Sequence, residues 1–560
     1  MLHLARMAAI LLVCSVVALL TTPAYLGDTE LYVSQILKHR AHLLAPGQDP
    51  FWDFGHTAWR PLVNAVFGVA GPAAKHLCGG DQRQALAWLM FVITAVSTLA
   101  AILLLWSFLE RHSNPWAAWI AAIACLSANA IIDYSRSGAP YVPALACLML
   151  ALWLIQRAHA RPDAGMLLAI LAGLSMCASV TLWFPFVLAT PAALLYALYG
   201  SPMPLLRFRI RLAAVMMVVC GCALTAAYGV VIRERQIHSW TDLKSWISAS
   251  QNDWAQTDRI KRAVSGIPRS FLDLGDDTLL LKRYAFHDPY ARVSLWKVLI
   301  APGTIKLLLF YLYTGAVILV LWRTYSGRGV LVLLAAAAVP VLVFGVILFE
   351  PGSTERYLPV YPFFFWAAAC ALAAGGAQYR TVCRGMAVFL LVVWCAGNIY
   401  AKSGWRSAGQ YRAFLERKNA LDARAQSGSL VAVINLRDPI YYMPALRLLD
   451  HQAQPHNFQV YDVIETASAR VFRWRRQFAE LSLARWSKGR QVWLSNRLLA
   501  ERPQPEWRWV EGDTGRVKWI EIRTFFRSFD VTVGVDGSDG FVLLAESPHN
   551  QESLRELASK

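Results

Sequence analysis

Residues 85–108 read ALAWLMFVITAVSTLAAILLLWSF, a run without one charged side chain. As a helix it would rise about 36 Å, enough to cross roughly 30 Å of hydrocarbon. Similar apolar runs recur along the chain. Of its 560 residues 56% are hydrophobic and only 16% are charged, where a soluble domain carries nearer a quarter. The sequence therefore specifies a multi-pass integral membrane protein, and its organisation follows from counting the runs on either side of this one.

One span precedes it, roughly Met7 to Thr22. Arg6 before an apolar run would also suit a signal peptide. The run is too long for that, however, and Thr21-Thr22-Pro23-Ala24 makes a poor cleavage site. After residue 108 come a third span from Trp116 and a fourth from Tyr141. Two more lie between Gly165 and Tyr199, divided near Trp183-Phe184-Pro185, where proline cannot donate to the helix ladder. Further spans end near Ile232, Arg323, Phe349, Tyr379 and Tyr400. The expected fold is a polytopic all-α membrane protein of about eleven transmembrane helices. Residues 1–400 form the transmembrane domain, with long polar loops at 25–84 and 233–303. Residues 401–560 are richer in charge and read as a soluble α/β domain. There SLVAVIN (429–435), FQVYDVI (458–464), QVWLSN, VKWIEIRTFF, VTVGV and FVLLAES read as strands, and MPALRLL and Ala467–Ser487 as helices.

The net charge of +18 would suit nucleic acid. Much of it, however, sits in short loops between spans, where Lys and Arg set topology. Every second short loop is basic: Arg6, Arg111, Arg157 with Arg161, Arg207 with Arg209 and Arg211, Arg323 with Arg328, and Arg380 with Arg384. The rule places these in the cytoplasm of an inner (cytoplasmic) membrane, with the N-terminus inside. The 25–84 loop, the 133–138 turn, the 233–303 segment, the 350–356 loop and the C-terminal domain then lie outside. The ten cysteines lie mostly in apolar runs, without metal-ligand spacing or a disulfide framework.

Candidate chemistry gathers on the outer side. The first outer loop reads YLGDTELYVSQILKHRAHLLAPGQDPFWDFGHTAWRP (25–61). Asp28 suits a cap for a helix Thr29–His39, and Glu30 its first turn. Either could also act as general base, or the two could hold a divalent metal ion. His56 could share proton work or orient a hydroxyl, and Arg60 could fork onto a phosphate. The same loop also reads as an interfacial segment with Phe51, Trp52 and Trp59 in the headgroup layer. Arg136 and Arg356 break the charge rule, standing on the side that disfavours cations, and so point to an anionic ligand at the outer edge, unless Arg356 simply forms a surface pair with its neighbour Glu355. Lys282 and Arg283 could join them, or snorkel toward lipid phosphates. Trp240, Trp246 and Trp254 mark an amphipathic helix in the interface.

An acidic motif just after the first span, many spans and an outer C-terminal domain resemble the GT-C membrane glycosyltransferases. The branch most similar contains the protein O-mannosyltransferases and the aminoarabinose transferase of lipid A. GDTELYVSQIL resembles its first-loop motif, and DYSRSGAPY and ERYLPVYP its later outer loops. The likeness covers residues 1–400. It implies inverting transfer of a sugar from a polyprenyl-phosphate donor at the outer face, with Asp28 as base. Here Thr29 separates Asp28 from Glu30, where these relatives usually have adjacent acids. The implied partners are the lipid-linked donor, an acceptor and membrane lipids, and no nucleic acid. A flippase of lipid-linked glycans would need ionisable groups inside its spans, and these spans are almost free of them. A non-catalytic assembly protein would leave the outer Arg and His groups unexplained.

Overall fold

The computed structural model describes residues 2–22, 27–42, 50–200, 205–249, 259–275, 278–285, 293–347, 351–374, 379–403, 412, 416, 419–434, 458–463, 474–501, 519–532 and 540–559. Within these ranges some side chains are not described, among them Asp28, Glu30, Lys282 and Arg283.

The N-terminal part is helical. α1 (Leu2–Leu20) and α2 (Gly27–Arg40) are followed by α3 (Trp59–Leu77) and α4 (Gln82–His112). Asp81 starts α4 by accepting the Arg83 and Gln84 backbone N–H groups at 2.8 and 3.2 Å, which satisfies two donors that a helix start leaves orphaned. α5 (Pro115–Leu126) is capped by Asn114 and has proline at its first position. The run expected as one span from Trp116 breaks here. Ser127 turns its hydroxyl back onto the Ile123 carbonyl at 2.7 Å, and the chain restarts as α6 (Asn129–Tyr134).

α7 (Tyr141–Ala160) and α8 (Gly165–Leu182) follow, then α9 (Thr190–Tyr199) after a 3₁₀ segment at the expected proline break. Next come α10 (Leu206–Glu234), α11 (Trp240–Ala249), α12 (Arg259–Phe271), α13 (Thr278–Ala285) and α14 (Leu295–Leu299). The last group is α15 (Pro302–Arg323), α16 (Tyr325–Ile347), α17 (Tyr361–Ala373) and α18 (Arg380–Val388). α18 runs through a π-helical segment, Phe389–Ala396, into α19 (Gly397–Ala401).

Among the described residues seven helices are long and apolar enough to cross a membrane: Gln82–His112, Tyr141–Ala160, Pro162–Leu182, Leu206–Glu234, Pro302–Arg323, Tyr325–Phe344 and Arg380–Ala401. Arg6–Leu20, Pro115–Leu126 and Phe184–Tyr199 are apolar but shorter. Small residues let these helices approach: α5 buries Ala117, Ala118, Ala121, Ala122 and Ala124, and α17 buries Ala367, Ala368 and Ala369. Outward-facing Leu12, Leu19, Val96, Leu167, Val218 and Leu312 stay exposed, as suits side chains whose solvent is lipid.

The C-terminal part holds a five-stranded sheet of order β2-β1-β3-β5-β4. Its strands are β1 (Leu430–Val433), β2 (Gln459–Asp462), β3 (Val492–Ser495), β4 (Val531–Thr532) and β5 (Phe541–Leu544). β1 pairs in parallel with β2 and β3, and β5 runs antiparallel to β3 and β4. The pleat sends Leu430 and Ala432 to a core with Phe478 and Phe526, and Val431 and Val433 to another with Leu421 and Trp493. One strand expectation fails: Trp519–Arg527 is a helix. Its aromatic and β-branched residues favour a strand, but Trp519, Ile522, Phe525 and Phe526 recur at helical spacing and are all buried. The expected helix MPALRLL lies outside the described residues, as does Trp254.

The last membrane helix delivers the chain beside the end of α1. Thr22 N–H donates to the Lys402 carbonyl at 3.0 Å, and Thr21 forms a β-bridge with Ser403. Lys402 also reaches Asp133 at 2.8 Å and Asp273 at 3.6 Å. Four distant stretches are thus tied at one end of the bundle.

Candidate active site

The loop 53–58 owes its shape to local hydrogen bonds. Asp53 accepts the Gly55 N–H at 2.6 Å, closing a 3₁₀ turn over Phe54–His56. The turn is then fastened to the C-terminal end of α8, where helical carbonyls lack intrahelical donors. Ala58 N–H and the Thr57 hydroxyl reach the Thr181 carbonyl at 2.9 and 3.2 Å, and His56 Nδ1 reaches that of Leu182 at 3.2 Å. A carbonyl only accepts, so Nδ1 carries the proton and Nε2 keeps its lone pair. Phe54 anchors the other side among Phe184, Tyr228 and Trp246. Trp246 donates from Nε1 to the Trp52 carbonyl at 2.8 Å. The tryptophan expected in an interfacial helix therefore points inward.

Arg60 begins α3 and is buried, 2% exposed. Its guanidinium lies 4.7 Å from the Tyr32 ring centroid, donates to Gln35 Oε1, and comes within 3.9 Å of Asp53. Tyr32 and Gln35 both belong to α2, so this arginine grips the helix whose first turn carries Asp28 and Glu30. That first turn is gripped again at Thr29, which is buried and donates to the Ser137 carbonyl. Gly138 makes the approach feasible. Its φ is +79°, and a Cβ there would come within 2.8 Å of Thr29 and 3.0 Å of Met90.

Arg136, expected at an anionic ligand, closes α1 instead. It donates to the Ala18 carbonyl at 2.6 Å, to the Thr21 carbonyl at 3.0 Å and to the Thr21 hydroxyl. Helix C-terminal carbonyls attract cations, which explains an arginine on this side without a substrate. Arg356 has different surroundings. It lies 5.6 Å from the Trp183 ring centroid and 3.8 Å from Glu355. Glu355 is buried and accepts the Tyr134 hydroxyl at 2.8 Å.

Aromatic rings connect these points. Tyr134 meets Tyr141 edge-on at 4.7 Å, and Tyr141 meets Trp183 at 4.7 Å. His56 stands 5.9 Å from Tyr141 and 5.8 Å from Tyr32. The first outer loop, the DYSRSGAPY turn, the proline break and ERYLP are thereby brought together. Tyr32, Tyr134, Tyr141, Trp183 and the Asp133–Lys402–Asp273 group were not singled out from sequence as site residues. Their only signal was adjacency to the acidic and basic motifs.

Burial pushes the His56 imidazole down to about 4. Asp53 and the Leu182 carbonyl pull it upward, and the positive charges of Arg60 and Arg356 push it further down. His56 is therefore neutral at pH 7, its Nε2 lone pair left as an acceptor, with Asp53 and the guanidinium groups of Arg60 and Arg356 as its charged neighbours.

Asp28 stands one residue inside α2 rather than ahead of it, and Glu30 shares the first turn. Their side chains lie outside the described set, as do those of Lys282 and Arg283 on α13. No group of three metal-ligating side chains occurs among the described residues.

No protein-family model matches the chain, and no curated protein does. Similar solved structures include the archaeal oligosaccharyltransferase AglB of Archaeoglobus fulgidus, in complex with an inhibitory peptide and a dolichol-phosphate. It shares 12% identity over 97% of this chain and 74% of that one, at TM-score 0.46. ArnT from Cupriavidus metallidurans bound to undecaprenyl phosphate shares 13% over 97% of both chains, at 0.46. The arabinofuranosyltransferase AftD from Mycobacteria shares 12% over 97% and 40%, at 0.40. These are GT-C glycosyltransferases, the class whose motifs the sequence resembles. At these identities and TM-scores none of them assigns this chain an activity.

Proposed function

We propose that the protein is a membrane glycosyltransferase that moves a sugar from a polyprenyl-phosphate carrier to an acceptor at the outer face of the membrane. In this reading eleven helices span the bilayer and residues 401–560 form an extracytoplasmic domain beside the site. The observation that carries it is the convergence described above: first turn of α2, His56, Tyr141, Trp183 and Arg356, from segments far apart in sequence, at one end of the bundle.

The chemistry divides between two charges. The donor's leaving group is a phosphate, already a good one, so it needs a cation rather than a general acid. Arg356 serves there, with Lys282 and Arg283 completing the phosphate side. On the opposite face of the sugar Asp28 removes the proton of the acceptor O–H or N–H as its lone pair attacks the anomeric carbon. The bond to phosphate breaks with inversion, and polyprenyl phosphate departs with the electron pair. Glu30 supports Asp28, His56 accepts a hydrogen bond at Nε2 from a sugar or acceptor hydroxyl, and Arg60 holds α2 in place.

The test is Asp28→Asn in membranes supplied with radiolabelled polyprenyl-phosphate sugars. The variant should accumulate and insert like the parent and transfer no label. Transfer at the parental rate would remove Asp28 as the base.

A further inference from the structure

One short element touches both halves of the candidate site. α6 has six residues, too few to be stable as an isolated helix, so its place depends on what grips it. Tyr134 donates to Glu355 at 2.8 Å, on the 3₁₀ segment Thr354–Val360 that also carries Arg356. In the turn after α6, the Ser137 carbonyl accepts the Thr29 hydroxyl from the first turn of α2, and Arg136 closes α1. Asn129 donates from Nδ2 to the Arg269 carbonyl at 2.9 Å, near the end of α12. The remaining tie is Asp133, which Lys402 Nζ meets at 2.8 Å. A shift of α6 would change the spacing between the start of α2 and the loop of Arg356.

Lys402 is held independently of α6. It follows α19, its N–H donates to the Asn398 carbonyl at 3.1 Å, and its carbonyl accepts the Thr22 N–H at 3.0 Å. Asn398 lies one turn earlier on the same face and is buried. Its Nδ2 donates to the Ser127 and Phe271 carbonyls at 2.8 and 2.7 Å, and its Oδ1 accepts the Asp273 N–H at 2.8 Å. Asp273 is braced further. Its Oδ1 accepts the Gly275 N–H at 2.7 Å, and its carbonyl accepts Lys306 Nζ at 2.8 Å. Its Oδ2 stands 3.6 Å from Lys402 Nζ.

The ammonium therefore joins a braced carboxylate to the carboxylate of α6. The Lys402, Asp133 and Asp273 side chains are 28%, 22% and 19% exposed, so water weakens their attraction less than at an open surface. Without the cation, two carboxylates would face one gap, and α6 would be pushed from Asp273 rather than drawn to it. On the transferase reading above, we propose that Lys402 is a positioning residue for sugar transfer. It fixes α6, and through α6 the spacing between the start of α2 and the loop of Arg356. Lys402 also leads into the C-terminal part of the chain, where Ser403 bridges to Thr21, and so ties that part to the site.

The test compares the full-length parent with Lys402→Met and Lys402→Arg in membranes supplied with radiolabelled polyprenyl-phosphate sugars. Lys402→Met should lower kcat by about ten-fold or more with donor KM near parental, since a misplacement of about 1 Å costs on the order of 10²-fold. Lys402→Arg, whose fork can meet both carboxylates, should recover most of the rate. Hydrogen exchange on the purified proteins reads the positioning without activity. In Lys402→Met the amides of residues 129–138 should exchange faster than in the parent, and those of α8 should not. In the parent the same amides should speed up between about 0.1 and 1 M NaCl as salt screens the pair, a readout that needs no variant to fold. Parental kcat in Lys402→Met would overturn the proposal. So would unchanged exchange at 129–138 in that variant, or salt-insensitive exchange in the parent. A raised donor KM with kcat intact would overturn it too, by making Lys402 a donor ligand. A parent that transfers no sugar would sink the transferase reading instead, and the exchange measurements would still decide whether Lys402 holds α6.

Discussion

Arginines stand at both ends of this helix bundle, and their partners differ. At the site end Arg136 is spent on the carbonyls that close α1. Arg60 is divided among Tyr32, Gln35 and Asp53, and Arg356 lies between Trp183 and Glu355. At the opposite end Arg111, Arg157 and Arg161 have no carboxylate partner among the described residues. Charge alone therefore does not identify a binding group. A guanidinium whose donors are consumed by backbone or by carboxylates organises the fold. One that is stacked, oriented and short of acceptors is available for an anion. The comparison predicts that removing arginines at the site end alters stability or catalysis, and that removing Arg111 and Arg161 at the other end leaves sugar transfer unchanged.

The largest expected effect sets the scale for the site end. Asp28→Asn should reduce sugar transfer by roughly 10² to 10⁴, the usual contribution of a general base. R111Q/R161Q should transfer at the parental rate in the same membranes. If both proteins lost activity equally, the two ends would not be functionally separate.

Next comes Arg60. Because Tyr32 and Gln35 lie on α2, Arg60→Met should let the helix start drift, and a misplacement of about 1 Å costs on the order of 10²-fold in rate. The loss should fall on kcat, with KM for the donor little changed. Arg60→Lys should not restore it, since an ammonium cannot both lie flat on Tyr32 and fork to Gln35. A rise in donor KM with kcat intact would instead make Arg60 a phosphate ligand.

Arg136→Met separates a cap from a ligand. Three hydrogen bonds to the end of α1 would go, leaving buried carbonyls unpaired, a cost of about 1–3 kcal/mol. A lower melting temperature with unchanged donor KM is expected. An unchanged melting temperature with a raised KM would return Arg136 to the anion-binding set.

These contrasts show which parts of the architecture are written locally. The spans were legible because hydrocarbon tolerates few charges, and residues 85–108 or 302–322 have no other reading. The proline near 185 marked a helix limit for a similarly local reason. The break at Ser127 was not legible, because serine in an apolar run carries no boundary signal until its hydroxyl turns onto Ile123. At the site, the two arginines that break the charge rule were visible, but not that one closes α1 while the other faces Trp183. Tyr32, Tyr141 and Trp183 were not picked out as site residues, since their meeting depends on four segments folding together. The pairing of Lys402 with Asp133 and Asp273 spans the membrane part of the chain and left no local trace. In the C-terminal part, Trp519–Arg527 was read by residue preference, whereas its burial follows the helical period.

The smallest expected effect tests the electrostatics directly. His56 titrates at about 4, chiefly from burial, with Arg60 and Arg356 adding to the depression. Arg356→Gln removes one of the two positive charges, the smallest of the causes, and leaves the burial, so the imidazole should move up and stay below its ordinary value. Imidazole NMR of the labelled protein would follow this shift. Linkage gives a second readout. Between pH 4 and about 6.5 the unfolded chain binds a proton at His56 that the folded protein refuses, so stability falls as pH falls through that window. His56→Gln should flatten this slope, and Arg356→Gln should confine it to a narrower range. A midpoint for His56 near 6.5 in the parent would mean the ring is solvated. The burial that keeps the imidazole neutral would then be missing from the site.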